Sequence, residues 1–138
     1  MSEVIEVKVS DLQPPALDWA VAHATKAWEW AHEWFPTMTL DPSFIGVMDS
    51  APNGHAVLVP RNPMRQGYEE FFPSTDWAQG GRLIDMHVTA LNQTGTHTWW
   101  AHSEDRLGEG DTPLIAACRA IVAAKLGDTV QVPAELVA

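Results

Sequence analysis

The chain of 138 residues has one cysteine, Cys118, and 8 lysines and arginines against 18 aspartates and glutamates. A single cysteine excludes an internal disulfide. Because Cys118 lies among alanines in a helical pattern, we expect it to be buried. The formal net charge of −10 repels phosphate backbones and argues against direct binding of DNA or RNA. Two explanations of the charge stay open: solubility alone, or a surface that occupies a basic groove on another protein.

The sequence also lacks a long apolar run, since a membrane-spanning helix needs about 18 consecutive apolar residues. Its acidic N-terminal segment has neither the charge pattern nor the apolar core of a signal peptide. We therefore expect a cytoplasmic protein without membrane contact.

Motifs of metal sites and of common catalytic sites are absent as well. His32-Glu33 has no second histidine at the required spacing, while His97 and His102 would face opposite sides of a strand. Ser74 and Ser103 lack the nucleophile-elbow pattern, and no glycine-rich phosphate loop occurs. The sequence therefore predicts no metal, no cofactor and no catalytic residue, and it does not indicate an enzyme.

Apolar periodicity predicts an α+β fold in one domain covering residues 1–138. A strand is predicted over residues 4–9, and a long helix runs from Pro15 to about Trp34. The last helix begins at the Thr112 cap, has Pro113 in its first turn and ends before Gly127. We expect a small, mostly antiparallel sheet packed with the long N-terminal helix and the C-terminal helix.

Shorter elements are predicted between these helices. Two short strands flank a turn, and a short helix follows. A hairpin and a polar, glycine-containing surface loop precede the last helix. The two strands cover residues 44–48 and 55–59, and the helix covers 78–86. The hairpin strands cover 87–92 and 96–102, and the loop covers 103–111.

Seven tryptophans are many for this length. Trp19, Trp30 and Trp34 gather on the side of the first predicted helix opposite its apolar core face. Another layer of the fold could bury this second aromatic stripe, a partner subunit in a homodimer could cover it, or it could line a binding cleft. In the predicted hairpin, Trp99 and Trp100 must point to opposite faces of the sheet.

Residues 73–81 combine capping side chains, an indole, a carboxamide and two glycines, which is typical of a binding loop. The residues concerned are Ser74, Thr75, Asp76, Trp77, Gln79, Gly80 and Gly81. The hydroxyls can cap a helix, and the glycines permit positive φ or close approach of another molecule. The alternative is an ordinary turn into a helix, with Asp76 as the cap and Trp77 in the core.

Arg119 is the only charged residue between Asp111 and Lys125, in a helix whose other residues are apolar. A buried guanidinium requires a partner. That partner is either a carboxylate of the fold, such as Asp76 or Asp85, or an anionic ligand.

Four blocks carry a resemblance to a known family. They are ALDWAVA at residues 16–22, PSTDWAQGG at 73–81, TPLIAACR at 112–119 and KLGDTVQVP at 125–133. In this order the blocks resemble the NinX-like phage protein family, a family of unknown function found in phages and prophages. The chain departs from its pattern at Phe71-Phe72, where a Tyr-Ser pair is usual, and at Arg82, which replaces a proline. The resemblance implies a phage protein in the bacterial host cytoplasm but assigns no catalytic residues.

Two functional hypotheses follow. In the first, a phage accessory protein binds a small anionic, nucleotide-like ligand without converting it, for example to sequester a host defence signal. Trp77 or Trp30 would stack on a base, Gln79 and the glycine amides would contact polar edges, and Arg119 would meet the negative charge. In the second, an acidic protein docks on and inhibits a host protein through the Trp19, Trp30 and Trp34 stripe.

Overall fold

The computed structural model describes residues 4–27, 45–47, 54–60 and 68–137. These ranges contain three α-helices and eight strands in three small antiparallel sheets, which confirms the α+β class but replaces the single expected sheet. The helices are α1 (Ala16–Thr25), α2 (Trp77–His87) and α3 (Pro113–Leu126). The strands are β1 (Val4–Lys8), β2 (Ile45–Val47), β3 (His55–Pro60), β4 (Tyr68–Glu70), β5 (Ala90–Gly95), β6 (Thr98–Ser103), β7 (Arg106–Gly110) and β8 (Thr129–Pro133).

The sheets pair β1 with β8, β2 with β3 and β4, and β5 with β6 and β7. The first sheet joins the two ends of the described chain, with Val7 opposite Val130. Within the described residues, no helix is long and apolar enough to cross a membrane.

The prediction of a long first helix is wrong. Helix α1 has 10 residues, and Lys26 follows it in the left-handed conformation, with φ of 53°. The amide of Ala27 then bonds back to the carbonyl of Ala22 at 3.1 Å, which closes the helix end. Periodicity could not predict this end because no glycine or proline marks it.

Helix α1 is surrounded on all sides over its first two turns, since every residue from Ala16 to Ala22 is buried. Trp19 is 8% exposed and its ring stacks on His23 with the ring centroids 5.7 Å apart. Trp19 therefore belongs to the core rather than to an interaction surface. Trp30 and Trp34 lie outside the described residues.

Helix α3 is the central element. As predicted, Thr112 caps it by accepting a hydrogen bond from the amide of Ile115 at 3.1 Å, and Gly127 follows its last turn. One side, with Cys118 and Val122, packs into the core around α1, which confirms the burial of the cysteine. The other side, with Ala116 and Ala120, packs on Ala101 of β6.

The surface loop predicted at residues 103–111 is wrong, because it contains strand β7. Alternate residues Gly108 and Gly110 of this strand are buried against α3, where the absence of side chains lets strand and helix approach closely. The glycines that suggested a loop are instead required by packing. The hairpin of β5 and β6 is present, but its turn lies at Thr96 and His97 instead of the predicted residues 93–95, which belong to β5. Trp99 packs on the α3 side of this sheet and Trp100 lines a recess with Asn92 and Leu107, so the two indoles do point to opposite faces.

Candidate functional site

Segment 73–82 makes the turn that begins helix α2. The Asp76 carboxylate accepts a hydrogen bond from the amide of Gln79 at 3.1 Å, so Asp76 is the cap, while the hydroxyl of Thr75 bonds to the carbonyl of Phe72 at 3.4 Å. Trp77 is 59% exposed and does not enter the core. The ordinary-turn interpretation therefore holds for Asp76 and fails for Trp77.

The carboxamide of Gln79 ties α2 to the chain that precedes it. Its Oε1 accepts from the amide of Phe72 at 2.8 Å, and its Nε2 donates to the carbonyl of Glu70 at 3.0 Å. Gly80 is needed because a β-carbon there would collide with the carbonyl of Pro73 and lie 2.6 Å from Leu114. The close approach that this glycine permits is made by the protein itself.

Arg119 pairs with neither Asp76 nor Asp85, which corrects that expectation. Its Nε and Nη2 donate to the carbonyl of Leu12 at 3.1 and 2.8 Å, and its Nη1 donates to the carbonyl of Glu109 at 2.8 Å. Burial lowers the pKa of Arg119, although nearby acids counteract this effect. The guanidinium therefore holds three parts of the backbone together: α3, β7 and the segment before α1.

A groove of about 420 Å³ lies between the end of α1 and the outer face of α2. We call it the Arg82 groove. Lys26 and Arg82 supply positive charge, Glu69 is the acid among its lining residues, and Phe71 and Leu83 belong to its apolar part. His87 also lines it, and burial, followed by the charge of Lys125, lowers the pKa of His87 so that the ring is neutral near pH 7. Ala78 and Gln79 bring segment 73–82 into this groove.

A second space, of about 300 Å³, lies between the start of α1, β3 and the chain after β4. We call it the Asp18 cavity. Asp18 and Glu70 are its acids, and its walls include Pro14, Pro15 and Phe72. The Oδ1 of Asp18 accepts a hydrogen bond from the amide of Ser74 at 2.9 Å, which connects segment 73–82 to α1.

Asp18 is only 2% exposed. Burial raises the pKa of its carboxyl group to about 7, and the charge of Glu70 acts in the same direction. The amide and hydroxyl of Ser74 oppose this shift only in part. Near neutral pH this carboxyl group is therefore partly protonated, whereas an ordinary aspartate is fully ionised.

This shift predicts how stability depends on pH. The pKa of Asp18 is about 7 when folded against 3.8 for an unperturbed group, so the folded state binds the proton more tightly. The contribution of Asp18 to the free energy of unfolding is therefore most favourable below about pH 4. It falls as the pH rises to about 7 and stays low above pH 7. Asp18→Asn cannot ionise and keeps the acceptor for Ser74. In urea unfolding we expect its stability to exceed that of the wild type by up to about 4 kcal/mol at pH 8 and to match it near pH 4.

Asp105→Asn is the matched control, since the Asp105 side chain is 92% exposed in a surface turn. Its stability relative to wild type is expected to change little over the same range of pH. A wild-type stability that is flat from pH 5 to 8 would contradict a buried, proton-exchanging Asp18.

Sequence reasoning missed Asp18, Lys26 and Glu70 as site residues. Asp18 had one usable signal, a lone acid within the apolar block ALDWAVA. Lys26 and Glu70 had none, because each belongs to a site only through contacts with distant parts of the chain. Arg82 was noted only as a departure from the family pattern.

The sequence matches the model of a known protein family. The family model described as bacteriophage P22 NinX matches residues 8–125. No curated protein matches the chain.

Proposed function

We propose a function from the fact that the chain belongs to the bacteriophage P22 NinX family. In this proposal it is a phage accessory protein that binds a small anionic, nucleotide-like ligand in the Arg82 groove. The ligand is bound without chemical conversion. Removal of a host defence signal from solution would be a use of such binding during infection.

The observation that carries the proposal is that two cations without an ion pair line one groove of a chain whose net charge is −10. Elsewhere in the described ranges Arg106 pairs with Asp128 at 2.7 Å and Lys125 with Glu104 at 3.2 Å. Lys26 and Arg82 form no ion pair with any residue that the structure describes. Cations left without acids in an acidic protein favour an anion from outside.

The rest of the groove suits a ligand with a planar ring. Phe71, Leu83 and Met86 give it apolar surface, and Trp77, next to Ala78 of the lining, is exposed for stacking. The Arg82 guanidinium matches the geometry of a phosphate or carboxylate. In this proposal Asp76, Gln79 and Gly80 fix the position of α2, and Arg119 has no contact with the ligand.

The test is a thermal-shift screen against nucleotides, cyclic dinucleotides and ADP-ribose, in which intrinsic tryptophan fluorescence reports unfolding. A ligand at about a hundred times its dissociation constant adds roughly 2.7 kcal/mol, which raises the melting temperature by several degrees.

Charge-removing variants then locate the site. We expect Arg82→Ala and Lys26→Asn each to weaken binding of the best ligand about tenfold, because each removes a charge-assisted contact. Asparagine is chosen at position 26 because it tolerates the left-handed backbone there. Lys8→Ala, on the exposed end of β1, is the control, and equal losses in all three variants would argue for unspecific attraction.

A silent screen with folded protein would favour the acidic interaction protein instead. The supporting observation is that Trp77 and Met86 of α2 are 59% and 68% exposed, and large exposed apolar side chains are common in protein interfaces. In that case Trp77→Ala is expected to abolish capture of a host protein in a pull-down.

A further inference from the structure

The Asp18 cavity contains two acids, and His55, which also lines it, lies 3.7 Å from Glu135. Asp18 and Glu70 both line it, and no lysine or arginine of the described ranges forms an ion pair with either. A buried carboxylate normally has a cationic partner or becomes neutral. Asp18 receives one backbone hydrogen bond from Ser74, at 2.9 Å, so the charge of its carboxylate lacks a counterion.

A second buried polar group lies beside Asp18. Ser74 is 2% exposed, and its hydroxyl faces the Asp18 carboxylate rather than a third group of the chain that the structure describes. The Ser74 hydroxyl is also close enough to Asp18 to favour the charged form of the carboxylate. Asp18 lines the cavity, and its hydrogen-bond partners come from Ser74 alone. A buried carboxylate without a counterion beside an open space favours a ligand of positive charge.

The remaining walls of the cavity restrict what this ligand can be. Pro14, Pro15 and Val57 are apolar, and Phe71 and Phe72 are aromatic. Aromatic rings attract cations, and apolar walls favour a short hydrocarbon chain over a hydrated metal ion. The volume of about 300 Å³ admits a small organic molecule.

We propose that the Asp18 cavity binds a small alkylammonium cation, whose charged nitrogen contacts the Asp18 carboxylate and whose alkyl chain lies against the prolines and phenylalanines. Glu70 adds a second negative charge. This site shares Phe71 with the Arg82 groove but none of the charged residues that line the groove. Because the groove prefers ligands of the opposite charge, each proposal can fail without the other.

Cation binding requires an ionised Asp18, so it is linked to proton release. The groups that face this carboxyl are Ser74 before α2, Glu70 of β4, His55 of β3 and Cys118 of α3. Burial raises the pKa of the Cys118 thiol, with Asp18 adding to the effect, so the thiol stays neutral in this range. Affinity is therefore expected to rise about tenfold per pH unit between pH 5 and 7 and to level off above pH 7.

The experiment is calorimetric titration of the full chain with n-butylammonium chloride, and with n-butanol as an uncharged molecule of the same shape. At pH 8 we expect butylammonium to bind at least about tenfold more tightly than butanol, as one ion contact provides. Asp18→Asn is expected to remove this preference together with the pH dependence. Glu70→Gln is expected to weaken binding severalfold.

Asp105→Asn and Arg82→Ala are controls that leave butylammonium binding unchanged. If Asp18→Asn proves unstable, the affinity of Glu70→Gln and the pH profile of the wild type still test whether the cavity binds butylammonium. Equal affinity for butylammonium and butanol would overturn the proposal, as would binding that is unaffected by Asp18→Asn or by pH between 5 and 7.

Discussion

We expect Gly108→Ala to lower the free energy of unfolding by roughly 3 kcal/mol or more, because β7 lies directly against the backbone of α3. A β-carbon on Gly108 would collide with the carbonyl of Ala116 and the amide of Ala120, and would lie 2.9 Å from the α-carbon of Ala120. Backbone atoms in the middle of a helix cannot turn aside as the end of a long side chain can. The strand must therefore move away from α3, which opens the alanine cluster between them. Urea unfolding followed by circular dichroism measures the loss.

Gly95→Ala is the matched control within the same sheet. A β-carbon on Gly95 would lie 3.8 Å from the hydroxyl of Thr98, which is an ordinary contact. We expect this variant to cost less than about 1 kcal/mol. Equal losses at the two positions would mean that helix packing is not what requires glycine at position 108.

Replacing Arg119 with methionine is expected to cost about 3 kcal/mol, since it removes three hydrogen bonds from a charged donor and leaves buried carbonyls without partners. The carbonyls of Leu12 and Glu109 are both held by this one guanidinium. Leu12 lies two residues before Pro14, which forms a wall of the Asp18 cavity. The same variant is therefore expected to weaken butylammonium binding although Arg119 does not line the cavity.

Arg106→Met is the control for the loss of a guanidinium, and denaturant unfolding of both variants gives the comparison. Arg106 pairs with Asp128 at the surface at 2.7 Å, and exposed ion pairs contribute about 1 kcal/mol or less. Arg119→Lys separates charge from geometry, because one ammonium group cannot reproduce a fork that donates to two carbonyls. A lysine variant as stable as the wild type would contradict the role given to this fork.

Local rules predicted much of the fold. The last helix and its Thr112 cap, the first strand and the hairpin depend on residues within one or two turns of each other, so the sequence was enough. The same rules failed at Lys26, where α1 ends in a left-handed residue without a glycine signal, and at Gly108, where a packing glycine resembled a loop glycine.

The site was less predictable for the same reason. Segment 73–82 was recognised from its composition, and it does contribute Thr75 to the Asp18 cavity and Gln79 to the Arg82 groove. Its assigned partner Arg119 is elsewhere, because a pattern of buried neighbours predicts that an arginine needs acceptors but not which ones. Two backbone carbonyls satisfied it, and carbonyls are present at every residue.

By itself the sequence determined the acidic charge, the buried cysteine, the order of most helices and strands, and the resemblance to a phage family. These properties come from composition, from neighbours along the chain and from shared blocks. Only the tertiary structure decided that Asp18 meets Ser74, that Lys26 and Arg82 line one groove, and that Arg119 holds the chain before α1. Burial and the distance between charges set the pKa of Asp18 and the partners of these groups, and both depend on segments that are far apart in sequence.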